Sequence, residues 1–268
     1  HVIECYSPML RMGCNGKTHV RFPALNLVVI SQKGSKMFEF LKRKTKGGST
    51  ILEYDQAKTD ADMIGVQIEF DEKLHDSREE IFDELFGECE SVSHEVLPML
   101  PHIDVFIYKP GYQGREFYTL ISSGMSDMPM TLPHEISEEY QRAEIVMYVD
   151  EPKDEYINLI RHYARYPHKY ETYFGHGHTI PNGHPAEPFF SKSSLDTIIF
   201  IPTILTPDKN FTDLIKEKSG LSVQLLHLTP ITTQESEFKL ANGTNDLYDL
   251  FDERDHSFIL NERRVSYV

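Results

Sequence analysis

The stretch from Phe117 to Met130, FYTLISSGMSDMPM, decides how this chain is read. Its first half has the β-branched and aromatic content of a strand. Then come Gly124 and three methionines, Met125, Met128 and Met130, around Ser126 and Asp127, with Pro129 inside the run and Pro133 beyond it. A reactive serine on a strand-to-helix elbow needs the pattern G-x-S-x-G. Here Met128 stands where the second glycine belongs, and prolines follow where a helix would have to start. A structural turn is the simpler reading. Ser126 and Asp127 can bond neighbouring backbone amides, while the methionines fill irregular space beneath them. Gly124, Met125, Ser126, Asp127, Pro129 and Met130 are therefore expected to organise the exit of a central strand, with no catalytic residue among them.

Upstream, HIDVFIYKP (102–110) alternates, with Ile103, Val105 and Ile107 on one face and Pro110 as terminator. GYQG turns it into REFYTLIS, which predicts a hairpin. RAEIVMYV (142–149) predicts the next strand. Further upstream, MIGVQIEF (63–70) predicts a strand, and DSREEIFDELFGE predicts a helix that starts at the capping box of Ser77 and Glu80 and stops at Gly87. Downstream, an aromatic-rich amphipathic helix is expected with Pro152 in its first turn and its end at Pro167. YFGHGHTIPNGHP (173–185) reads as a loop or short strand; LDTIIFIP and LSVQLLHL read as buried strands. Thr232 and Glu235 cap another helix that closes at Asn242-Gly243, and Asp246 to Phe251 form a last short one. Strands arrive both in hairpins and between helices. The expected fold class is α+β, of layered α/β type: a mixed, largely antiparallel sheet with helices packed on its faces.

One metal reading competes. His102 and Asp104 would share a strand face, as would His176 and His178 if extended, and two histidines with a carboxylate can hold zinc or iron(II). That alternative is a metal-dependent hydrolase built on His102, Asp104, His176 and His178. Against it, H-x-D and H-x-H recur by chance in a chain with 13 histidines, and H-E-x-x-H is absent. No glycine-rich nucleotide fingerprint occurs either, so no cofactor is expected.

The charge is uneven. Residues 1–48 carry nine basic and two acidic residues, and TKGGST (45–50) reads as a flexible joint after them. The other 18 basic and 40 acidic residues leave a body of net charge −22. Such a body repels nucleic acid and membrane surfaces and favours a basic partner. Three scattered cysteines, Cys5, Cys14 and Cys89, form no CxxC pair and fit a reducing, cytoplasmic compartment. KMFEFLKRK looks like an ordinary bacterial start at Met37. The expected organisation is a basic N-terminal extension over 1–48, a lead-in over 49–75, and a folded domain over 76–268.

Taken together and in order, HIDV, FYTLISSGMSDMPM, RAEIVMYV, LIRHYARYP, GHGHTIPNG, LLHLTPITTQESEF and NDLYDLF resemble the Suppressor of fused (SUFU) domain family, from about residue 76 to the C-terminus. The resemblance implies a mixed sheet with helices, no enzymatic activity and a function in binding another protein. Animal members are two-part intracellular regulators of Hedgehog signalling that clamp a peptide between their halves, and this chain resembles the N-terminal half only. The shorter bacterial members, similar in length and architecture, imply an immunity protein that neutralises a cognate toxin. A basic toxin domain would suit the acidic body. The loops Asp150 to Glu155 and Asp252 to Asp255 are the expected partner surface; a regulatory scaffold with a non-toxin partner is the other form of the same reading.

Overall fold

The structure is a computed structural model that describes residues 11–12, 18–19, 27–31, 43–54, 57–64, 70–97 and 99–268. Among these, β1 (Arg11–Met12) and β2 (Thr18–His19) pair with each other. The main sheet holds ten strands: β3 (Leu27–Ser31), β4 (Arg43–Lys44), β5 (Thr50–Tyr54), β6 (Cys89–Ser93), β7 (Asp104–Tyr108), β8 (Tyr118–Ser123), β9 (Ala143–Val149), β10 (Thr179–Pro181), β11 (Thr197–Pro202) and β12 (Gln224–Ile231). Their spatial order is β4-β5-β3-β10-β11-β12-β9-β8-β7-β6. From β10 to β6 every pairing is antiparallel except β12 with β9. The mixed, largely antiparallel sheet expected from the sequence is thus present.

Alternation along the central strands sends apolar side chains to both faces. Ile145, Met147 and Val149 join Val105, Leu120, Ile198, Phe200 and Leu226 in one core, packed against α2 (Asp154–Lys169). Val146 and Tyr148 point the other way, to a second core with α1 (Glu72–Phe86) and α3 (Phe211–Ser219). On that same face Ile199, Ile201 and Ile231 meet Leu247 and Phe251 of α5 (Thr244–Glu253), with Phe238 of α4 (Thr233–Asn242) beside them. No helix among the described residues is long and apolar enough to cross a membrane.

Several local expectations are corrected. Helix α1 starts at Glu72, capped by the Asp71 carboxylate, which accepts from the Leu74 amide at 2.9 Å. Ser77 lies inside the helix and is buried. Asp71 wins as cap because it lets Leu74, fully buried, extend the apolar stripe by a turn. Helix α2 runs through Pro167 to Lys169. A proline in the last turn removes one intrahelical bond, and His168, buried beyond it, holds the turn by bonding the Met125 carbonyl at 3.2 Å. Residues 65–69 of the expected strand at 63–70 lie outside the described residues. Asp60–Met63 form a 3-10 turn, and Ile64 makes a single bridge to Met99. The TKGGST joint is pinned: the Gly47 amide donates to the Leu240 carbonyl at 3.0 Å, and a Cβ at Gly47 would stand 2.5 Å from the Gly243 nitrogen. The two glycines let two backbones touch. The capping box at Thr232 and Glu235 forms as expected.

Candidate functional site

The SGMSDMPM turn leaves β8 beside the start of β7, because antiparallel pairing sets Asp104 opposite Ser123. This register brings His102 and Asp104 to the same end of the sheet as Gly124 to Asp127. Gly124 has φ +119°, and a Cβ on it would stand 1.9 Å from the His102 carbonyl oxygen. Only glycine lets the HIDV segment and the turn lie this close. Met125 and Met130 are buried, Met128 is half-buried and Pro129 is exposed.

A charge cluster lies under the turn. Arg78 of α1 is 1% exposed and donates to Ser123 Oγ at 3.0 Å, Ser126 Oγ at 2.8 Å and Asp127 Oδ1 at 2.6 Å. Glu144 of β9 is wholly buried and stands 3.4 Å from the same guanidinium. Its carboxylate accepts from the Gly124 amide at 3.2 Å, the Ser126 amide at 3.0 Å, Ser126 Oγ at 2.6 Å and Ser122 Oγ. Asp127 was expected to bond the turn's amides; Glu144 does so, and Asp127 instead closes the guanidinium. The reason is reach. The amides of this turn point into the sheet, where Glu144 is buried, while Asp127 lies at the rim.

Ser122 Oγ also accepts from the Ile145 amide and Ser126 Oγ from Arg78. Burial pushes the pKa of Glu144 up, and the Arg78 guanidinium and the Ser122 and Ser126 donors pull against that shift. Burial also works against the charge on Arg78, but Glu144 and Asp127 outweigh it and hold the guanidinium pKa above its ordinary value. Ser126 is inaccessible and its hydrogen is committed. This arrangement fastens α1, β8 and β9 together and offers no nucleophile to a substrate.

The His102–Asp104 pair forms a second, more exposed cluster. Asp104 takes His94 Nδ1 at 2.8 Å, His102 Nε2 at 3.2 Å and the Glu95 amide at 2.9 Å. Burial raises its pKa, but these donors prevail and lower it below the ordinary carboxylate value. Glu95 in turn holds the Ile103 amide at 3.1 Å and Arg165 of α2 at 2.5 Å. The cluster sews the loop after β6 to β7 and to α2.

His176 and His178 are elsewhere. They precede β10, five strand spacings from β7, which is about 24 Å. A metal ion bonds its ligands at about 2 Å, so the four residues cannot share one. The hydrolase alternative built on His102, Asp104, His176 and His178 is therefore withdrawn. Among the described residues no three His, Cys, Asp or Glu side chains are placed to hold a metal. His178 is fully buried, accepts from the Gly175 amide at 3.2 Å and packs on Tyr173. Burial, then Lys239, hold its pKa well below the ordinary value.

Lys239 itself is wholly buried, with its ammonium 3.4 Å from Thr179 Oγ1. Burial alone brings its pKa down from 10.5 to about 7. Between those values the folded chain carries fewer protons here than the unfolded chain, so this residue's contribution to stability rises with pH across that window. Lys239→Met is expected to be more stable than the parent at pH 6.5. Its advantage should shrink by about 1.4 kcal/mol per pH unit between pH 7 and 10, read from urea unfolding. A constant advantage over that range would show that Lys239 does not titrate as described.

A family model, Suppressor of fused protein (SUFU), matches residues 100–265. The chain belongs to the Suppressor of fused family. The match begins just before His102, takes in the whole turn, and leaves α1 with Arg78 upstream. Among solved structures, a SUFU homologue from Neisseria gonorrhoeae FA 1090 superposes with a TM-score of 0.56 at 19% identity, over 73% of this chain and 97% of that one. The Sufu–Fu complex gives a TM-score of 0.50 at 11% identity, covering 72% of this chain and 90% of that chain. Drosophila Suppressor of Fused gives 0.47 at 13% identity, over 73% of this chain and 50% of that one. These identities establish the SUFU fold and nothing finer. No curated protein matches.

Arg78 and Glu144 were missed from the sequence, although each left a signal. Arg78 occupies the apolar stripe of its helix between Leu74 and Ile81, and Glu144 is the one charge inside AEIVMYV. A charged residue at a core position announces a buried partner.

Proposed function

We propose that this chain is a non-enzymatic protein-binding member of the SUFU family and acts as an immunity protein, in the cytoplasm, against a basic toxin domain. The observation that carries the reading is the charge of the body, −22 over residues 49–268, in a family one of whose members is known as a complex with another protein. The acidic loops support it. Asp150, Glu151, Asp154 and Glu155 are exposed, as are Asp252 to Asp255. Lys153, the one base between the first four, is tied to Glu262 at 2.7 Å, which leaves the field there negative. Residues of both loops border the segment 257–261. A basic toxin would be steered to this end of the sheet, with rapid, salt-sensitive capture.

The His102–Asp104 and Gly124–Met130 motifs then serve the interaction indirectly, by fixing the strands that carry these loops. The test is co-expression with the product of the neighbouring gene. The expected result is a stable complex and rescue of growth. Binding should be at least about tenfold weaker for Asp150→Lys/Glu151→Lys/Glu253→Lys and should fall steeply with added salt. A complex indifferent to charge reversal and salt would leave protein binding standing and overturn the basic partner. The absence of any complex or rescue would overturn immunity and favour a regulatory scaffold with another partner.

A further inference from the structure

Among the described strands the sheet ends at β6, which pairs with β7 alone. An edge strand presents one row of backbone N–H and C=O groups that no ladder satisfies. At β6 this row is open to solvent: Glu90 and Ser91 are exposed, and Val92 and Ser93 are half-buried. Two side chains reach its carbonyls. Arg161 of α2 donates to Ser93, and the Cys89 thiol lies 3.3 Å from the Ser91 carbonyl oxygen. Directly past the strand, Val96 and Leu97 are 94% and 61% exposed.

The two faces beside this edge differ in charge. Pairing sets Cys89 opposite Tyr108 and Val92 opposite Phe106, on the face covered by α1. Ser91 and Ser93 lie opposite Ile107 and Val105, on the face covered by α2. One flank of α1 packs on α3, where Glu80 holds Lys218 at 2.8 Å and Phe82 stacks on Phe211. The other flank carries His75, Glu79 and Asp83 at four-residue spacing. Asp83 accepts from the Tyr108 hydroxyl at 3.2 Å, which holds its carboxylate over the β6–β7 pair. The Cys89 thiol agrees with this placement. Burial raises its pKa, contacts with the Ile107 and Ser91 carbonyls lower it, and Asp83 and Glu79 push it up again. Glu88 and Glu90 add two exposed carboxylates along the edge itself. Against these four acids stand Lys109, exposed after β7, and His75, 3.4 Å from Glu79. On the α2 face the charge beside the edge is Arg161, 3.0 Å from Ser93 Oγ.

This pattern selects the occupant. A second copy of the chain does not suit the edge, because two β6 strands side by side would crowd the acids of both, on bodies that each carry −22. A strand with cations toward α1 and uncharged side chains toward α2 meets opposite charge on one face and avoids Arg161 on the other. We propose that the outer edge of β6 takes up an extended segment of a partner protein as an added strand, with Lys or Arg at alternate positions facing Glu79 and Asp83. The edge is three strands from β9, which leads into the Asp150 loop, so this is a second contact and holds whether or not the partner is a toxin.

The probe is a capped hexapeptide that alternates lysine and valine. Its isomer with the three lysines in one block has the same charge and composition, and an alternating glutamate–valine peptide has the opposite charge. Each is titrated into the full chain at low salt while backbone amides are followed by NMR. The expected result is saturable binding of the alternating basic peptide at about 1 mM or tighter, with the largest shifts and slowed hydrogen exchange at Cys89 to Ser93. The block isomer and the acidic peptide should bind at least about tenfold more weakly, since neither places cations along one face of a strand. Glu79→Lys/Glu90→Lys should weaken the alternating peptide by a similar factor; both positions reach solvent, so the fold should survive. Asp150→Lys/Glu151→Lys/Glu253→Lys should leave the shifts at β6 unchanged. Equal binding of the two isomers would reduce the contact to unspecific charge and overturn the added strand. Shifts confined to the Asp150 and Asp252 loops, or no binding, would overturn this edge as a docking site and leave the immunity reading untouched.

Discussion

Arg78→Met is expected to destabilise the chain by about 3–5 kcal/mol, among the largest effects any single substitution should have here. The methionine fills much of the volume, so little of the loss comes from packing. The loss arises because Glu144, wholly buried, loses the cation opposite it and must either stay charged without a counter-ion or take up a proton at the expense of its donors. Asp127 is affected less, because at 17% exposure it reaches water. The mechanism predicts strong non-additivity. Glu144→Gln alone should also be costly, but Arg78→Met with Glu144→Gln should cost well below the sum of the two, because the second change removes the charge stranded by the first. Urea unfolding of the parent, the two single variants and the double variant gives the coupling directly. Additive costs would mean that Arg78 and Glu144 act independently, which the shared Ser126 hydroxyl argues against.

Gly124→Ala is the second. Its φ of +119° is strained for any L-residue, at about 1–3 kcal/mol. The new methyl would also overlap the His102 carbonyl oxygen, a backbone atom that can move only if β7 moves, at about a further 1–3 kcal/mol. A loss of about 3 kcal/mol or more is expected. Gly220→Ala is the matched control: φ is +86° at the end of α3, and nothing lies within 4 Å of the added Cβ. It should cost only the conformational part. Equal losses in the two variants would show that the approach of the HIDV segment to the turn carries no weight.

These two residues show how unevenly the sequence could be read. The glycine was visible: a lone Gly between a strand and a proline-flanked turn demands unusual backbone geometry, and the motif around it pointed to the family. The strands at 104–108, 118–123, 143–149, 197–202 and 224–231 were equally visible, because buried strands carry dense β-branched and aromatic runs. Strand β6, CESVS, was not. It is a polar edge strand whose place is set by β7 and not by its own composition. Helix α3 escaped because only Phe211 and Ile215 anchor its nine residues, too few for a periodic signal.

The candidate sites divide in the same way. Local chemistry fixed which residues could form a turn after β8, and where helices would cap at Thr232 and stop at Gly87. Pairings across long sequence separations could be settled only in three dimensions. Arg78 meets Asp127 across 49 positions, His227 comes to lie beneath Phe258, and His178 is carried away from Asp104 by the strand order. Periodicity and capping are short-range effects written into neighbouring residues. The partner of a buried charge is chosen by how the sheet is threaded, and the threading answers to the whole core at once.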